Sequence, residues 1–174
     1  MGLAADVIVS SGRMTLRFAE GVHAGIDAGV FGSMARAGGE VIEANHPAFV
    51  YGHLSLYPSR VVEFAGGDAS GVAPKAEWVE LFKNGAVCRA DPEGSIYPGR
   101  DELVEAFLRA QRAGLEAAAG MSDEQLSAPN PSEAMRERLP TVGDASNFYL
   151  CGHAMMHLGQ GSTGRRAMGI GSAF

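Results

Sequence analysis

The segment Cys151-Gly152-His153-Ala154-Met155-Met156-His157-Leu158-Gly159-Gln160 places two histidines four residues apart. On a helix this spacing stacks both side chains on one face, so two imidazoles can meet one transition-metal ion at ~2.0–2.1 Å from each nitrogen. An isolated His-x-x-x-His is about as often a pair of hydrogen-bonded core histidines as half of a metal site, and a third ligand decides between them. The remaining histidines are His23, His46 and His53. His53 stands in Tyr51-Gly52-His53-Leu54, near the middle of an expected helix, beside a glycine that would let another helix come close. His46 is on the same face but ~10 Å back along a helix axis, too far to share an ion with His53. It reads as a partly exposed helix-start residue. The expected ligands are therefore His53, His153 and His157.

Three neutral imidazoles leave a divalent ion with its full charge and an open fourth position, the arrangement of catalytic rather than structural sites. Imidazole ligation suits a zinc- or nickel-class ion. Such an ion brings the pKa of bound water towards ~7 or ionises a thiol outright, so hydrolysis and thiol transfer are both open. Tyr149 and Gln160 fall one turn either side of the histidine pair, and Tyr57 one turn beyond His53. Each can orient a ligand or be a core hydroxyl or amide satisfied locally.

Other chemistries fit less well. The zinc-protease motif needs a Glu after its first His, where this chain has Ala154. Cys88 and Cys151 lack Cys-x-x-Cys spacing and read as small buried hydrophobes. Cys151 is also ~200° around the helix from His153, aimed away from the site. Gly159-x-Gly161-x-x-Gly164 matches the dinucleotide fingerprint but follows a helical histidine pair instead of a strand. A rival centre is more serious, because Glu20-x-x-His23 and Glu43-x-x-His46 both carry the Glu-x-x-His pattern of di-iron carboxylate bundles. It ranks below the triad: Glu43 and His46 straddle a helix start, and Glu105 or Asp144 are only guesses as partner carboxylates.

The elements that would position these residues are helices. Met14, Phe18, Val22, Ile26 and Val30 recur every fourth residue and predict a first helix over about Gly12 to Arg36. After Ala37-Gly38-Gly39, Asn45 or His46 caps a second helix that starts at Pro47, runs to about Phe64 and is kinked or interrupted at Pro58. A short helix over Pro74 to Lys83 and a loop over Cys88 to Gly99 precede a third long helix, about Asp101 to Ala119, whose core face uses Leu103, Val104, Phe107, Leu108 and Leu115. Ser122 to Gln125 forms a capping box, a short helix ends near Leu139, and Thr141 caps the fourth long helix. No strand alternation or internal repeat is evident.

Composition bounds the rest. A chain of 174 residues suits a single domain over 1–174, and 46% hydrophobic with 20% charged residues is ordinary for a globular core. A net charge of −6, with Arg165-Arg166 the only tight basic pair, argues against nucleic acid as a partner. No run approaches ~20 apolar residues, and Met1 to Ser10 lacks the features of a secretory signal, so no membrane association and a cytoplasmic location are expected.

In order and spacing, Asn45-His46-Pro47 through Gly52-His53-Leu54, followed by His153-x-x-x-His157-x-Gly159-Gln160, resembles the DinB/YfiT-like superfamily of metal-dependent enzymes. The resemblance implies an all-α four-helix bundle with short inserted helices and loops. It implies a zinc or nickel ion on His53, His153 and His157, and a homodimer. Characterised members include thiol-dependent transferases and an isomerase. The sequence departs from the pattern at Gly161-Ser162-Thr163-Gly164, where larger apolar residues are usual, and in its long inserts between the second and fourth helices. The expected function is that of a metal-dependent thiol transferase or hydrolase acting on a small-molecule substrate, with a low-molecular-weight thiol as co-ligand. The alternative is a non-catalytic metal-binding or stress-response interaction protein.

Overall fold

Helix α1, Leu3–His23, begins well before the four-residue apolar period predicts and ends well short of Arg36. Its buried face is Ala5, Ile8, Val9, Gly12, Thr15, Ala19 and Val22, whereas Met14 is 67% exposed. Small residues carry much of that face, and a pattern scored on large side chains misses them. The helix stops because Ala24 is extended and Gly25 takes φ 74°, the left-handed conformation that favours glycine. Ile26 still reaches the core, but Val30 is exposed in a single 3₁₀ turn, Ala28–Val30. Residues 31–35, the remainder of the predicted helix, are turn and irregular chain, and a minimal hairpin unforeseen in the sequence starts at Arg36. Its strands β1, Arg36–Ala37, and β2, Glu40–Val41, join through Gly38-Gly39 with φ 60° and 90°, as a primed two-residue turn requires.

The computed structural model describes residues 2–173 and is mainly helical beyond this point. Helix α2, Pro47–Ser55, is capped by His46, whose Nδ1 accepts from the Phe49 amide at 3.2 Å. Pro58 interrupts the predicted second helix and opens α3, Pro58–Phe64, because proline has no amide to continue the ladder. Helix α4, Ala76–Phe82, precedes an irregular loop held by the Asp91 carboxylate, which accepts from the amides of Ser95, Ile96 and Tyr97. Helix α5, Arg100–Gly120, buries Leu103, Val104, Phe107 and Leu115 as expected, with Leu108 only partly covered. Capping boxes at Ser122 and Thr141 open α6, Asp123–Ser127, and α7, Val142–Asn147. A π-helical stretch, Phe148–Gly152, then leads into α8, His153–Ala167. Only a 3₁₀ turn, Glu133–Met135, stands where a short helix was expected before Leu139.

Helix α5 is the spine: α1, α2 and α3 all pack on it, and α8 lies across α1 and α2. The α2/α8 contact brings the three expected ligands together. Among the described residues no helix is long and apolar enough to cross a membrane.

Arg165 locks α8 to the end of α1. Its side chain is buried, and Nη1 donates to the carbonyls of Gly21, Val22 and Ala24 at 2.8–2.9 Å while Nε donates to Gly171 at 3.0 Å. These are carbonyls that a helix end leaves without partners, and a cation there also complements the helix dipole. Arg165→Ala is expected to cost ~3 kcal/mol, since several buried acceptors would lose a charged donor at once. Urea unfolding of the variant should show the loss, and Arg165→Lys should restore only part of it; an unchanged midpoint in Arg165→Ala would remove Arg165 from this role.

Candidate metal centre

Two local features set the histidine geometry. The first is Gly52: a Cβ there would stand 2.3–2.5 Å from three atoms of the Phe82 ring, so only glycine lets α4 settle against α2. That contact brings the Phe82 carbonyl to 2.6 Å from His53 Nδ1. A carbonyl only accepts, so Nδ1 carries the proton and His53 Nε2 is left as a lone pair facing inwards. The second is the π-helical stretch, in which the His153 amide donates to the Phe148 carbonyl five residues back. Within this stretch the Leu150 carbonyl accepts from Nε2 of the fully buried Gln111 at 2.7 Å. Single π-turns of this kind sit disproportionately at functional sites.

The result is one cluster. One nitrogen from each of His53, His153 and His157 lies within 4.8 Å of the other two, and this is the group among the described residues placed to share an ion. His53 Nε2 and His153 Nε2 are 3.1 Å apart. Two nitrogens at zinc-ligand distance and the tetrahedral angle stand ~3.3 Å apart, so this pair needs almost no movement to share an ion. His157 Nδ1 donates to Gln160 Oε1 at 3.1 Å, and the same oxygen accepts from Asn45 Nδ2 at 3.4 Å. Two of the three imidazoles therefore have a carbonyl oxygen fixing ring and tautomer, as metal-binding histidines usually do. His153 Nδ1 is buried with no partner; its ring is held by stacking on Phe148 and by the edge of Tyr57.

Electrostatics favour the ligand form. Burial lowers the pKa of all three imidazoles; His153 falls to about 3, with the neighbouring His157 and His53 adding to the effect. The Phe82 carbonyl and Gln160 oppose the shift at His53 and His157 without reversing it. At neutral pH all three imidazoles are uncharged; His53 and His157 turn lone pairs inwards, and His153 Nε2 donates its proton to His53 until an ion displaces it.

The histidines open on a cavity of about 470 Å³. The Tyr57 ring lies 5.1 Å from that of His53 and 4.7 Å from that of His153, and stacks on Tyr149 at 5.5 Å. Burial raises the Tyr57 pKa, so its hydroxyl stays protonated. Compared with models of known protein families and with curated proteins, the chain matches none.

The other candidates do not meet. His46 is buried, not partly exposed, and uses both ring nitrogens, with Nε2 donating to the Arg89 carbonyl at 2.8 Å. Glu20 pairs with Arg112 at the surface, Glu43 and Glu105 are exposed, and Asp144 closes the Thr141 capping box. Burial raises the Cys88 and Cys151 thiols to about 11, and Cys151 Sγ donates to the Ile8 carbonyl on α1, away from the cavity. Gly159, Gly161 and Gly164 lie within α8, where a Cβ at Gly161 would press Val22 at 3.1 Å; the stretch is a helix face, with no phosphate-binding turn. Sequence reasoning missed the Phe82 carbonyl, Gln111, and three cations at the cavity, Arg60, Lys83 and Arg138. Arg60, three residues after Tyr57, was the only one with a local signal.

Proposed function

We propose that the chain is a metal-dependent enzyme of DinB-like type, a four-helix bundle in which His53, His153 and His157 hold one divalent ion of the zinc or nickel class. The observation that carries this reading is the convergence of three neutral imidazoles from α2 and α8 at the wall of a cavity large enough for a small molecule. In the bundle reading, α1, the interrupted α2–α3 unit, α5 and the α7–α8 unit are the four long members.

An ion held by three imidazoles supplies Lewis acidity to water or a thiol at its open position. The chain's own residues do the rest. Phe82 and Gln160 keep two ligand rings in the binding tautomer, Phe148 and Tyr57 hold the third, and the Tyr57 hydroxyl can donate a hydrogen bond to a bound ligand. No protein thiol is available as nucleophile, since both cysteines are held neutral and neither lines the cavity. A thiol-transfer reaction must therefore recruit an external low-molecular-weight thiol, whereas a hydrolase needs only water.

Cobalt-substituted protein tests the reading. About one ion per chain is expected, and titration with cellular thiols should raise the sulfur-to-metal charge-transfer band of direct thiolate ligation. A bound ion without that band, together with metal-dependent ester or amide cleavage, would assign the site to activated water. A bound ion that exchanges no ligand and supports no turnover would make the protein a non-catalytic metal binder, and two irons per chain would overturn the triad.

A further inference from the structure

The cavity beside the histidines carries a charge opposite to that of the chain. Arg60, Lys83 and Arg138 line it, and no aspartate or glutamate does, although the protein as a whole has a net charge of −6. Lys83 is shared with the exposed Glu80, but no carboxylate pairs with Arg60 or Arg138 among the described residues. Arg60 is also held in place. Its guanidinium carbon sits 5.8 Å from the centres of both the Tyr57 and Tyr149 rings, which stack on each other. The Tyr57 ring in turn lies 4.7 Å from that of His153. An arginine resting against aromatic rings keeps its planar fork of donors while losing less conformational freedom on binding, which is how carboxylates and phosphates are gripped at two points.

We propose that this cavity selects a small organic anion, with one carboxylate or phosphate group bound by Arg60 and assisted by Arg138 and Lys83, and the remainder directed towards the three-histidine centre. The substrate class follows: a molecule with an oxyanion at one end and its reacting group at the other. Carboxylate and phosphate share the chemistry that recognises them here, and the experiment separates the two. The inference rests on reading the histidine cluster as the reacting centre, but the anion site itself needs no ion.

The test is calorimetric titration of the zinc-loaded and metal-free protein with succinate, with inorganic phosphate and with neutral succinamide. Succinate or phosphate should bind, and the tighter of the two identifies the headgroup. Succinamide should not bind, and affinity should fall as salt rises because exposed charges are screened. Arg60→Gln should weaken the anion about tenfold or more, as loss of a charge-assisted two-point contact implies, and Arg60→Lys should recover only part. Arg138→Gln, which removes no cation–π contact with the tyrosine pair, gives a smaller loss and keeps the test valid should Arg60→Gln disturb that stack. Arg13→Gln, on the exposed side of α1, should change nothing. Unaltered anion binding in an Arg60→Gln/Arg138→Gln double variant, or equal loss in Arg13→Gln, would overturn the proposal. Arginine-dependent anion binding in a protein that takes up no zinc would support the anion site and sink the metal reading instead.

Discussion

Replacing any one of His53, His153 or His157 by alanine is expected to abolish tight metal binding, while His46→Ala should leave it nearly intact. A three-ligand site that loses one imidazole falls to two, and the loss should well exceed the ~10–100-fold that follows removal of an orienting partner. His46 caps the helix that carries His53, and both are buried, so burial alone does not distinguish them. Their partners do: both His46 ring nitrogens are taken by backbone groups, the Arg89 carbonyl and the Phe49 amide, whereas His53 Nε2 meets another candidate ligand, His153 Nε2. Losing the His46 cap should cost ~1 kcal/mol of stability, so its circular dichroism should be checked alongside its metal content. Elemental analysis of the four variants after gel filtration is the measurement. Equal loss in His46→Ala, with none in His53→Ala, would place the site on the wrong turn of α2.

The metal-free protein should lose stability steeply as pH falls below about 6.5. His153 has its pKa lowered to about 3 in the fold, mainly by burial, and His53 and His157 shift in the same direction. Between about 3 and 6.5 the unfolded chain therefore binds protons that the folded protein refuses, so stability rises with pH across that window and is fully present above it. For His153 alone the difference across the whole window is on the order of 5 kcal/mol, a large fraction of a domain's total stability. Denaturant midpoints of chelator-treated protein at pH 7.5 and pH 5 should show the decline, and His153→Gln should flatten it. A midpoint that does not move with pH, or a variant with the wild-type slope, would mean that solvent reaches His153 far more freely than its burial implies.

The candidate ligands were legible in the sequence because their signal is local. Residues four apart on a helix must share a face whatever surrounds them, so His153 and His157 were paired before any packing was known. Helix caps were legible for the same reason: Ser122 with Gln125 and Thr141 with Asp144 satisfy each other within one turn. So was the break at Pro58, which follows from a missing amide. Gly52 announced a close approach, but only the fold supplied the partner, Phe82, and with it the carbonyl that fixes the His53 tautomer.

Three features had no such signal. Alanine, glycine and threonine make up four of the seven buried positions of α1, and which of these small residues go inside is decided by side chains of distant helices, such as Leu115 against Gly12. The π-helical stretch before His153 adds a residue to one turn, an adjustment stabilised by Gln111 from α5 and invisible in the spacing of the segment itself. The cationic wall of the cavity gathers Arg60, Lys83 and Arg138 from three segments far apart in the chain. The sequence by itself determined which residues could hold an ion and that helices would carry them, since both depend on neighbours within a turn or two. What faces that site, and therefore what it can accept, was decided by tertiary packing, because a cavity is a relation between side chains that have no short-range reason to meet.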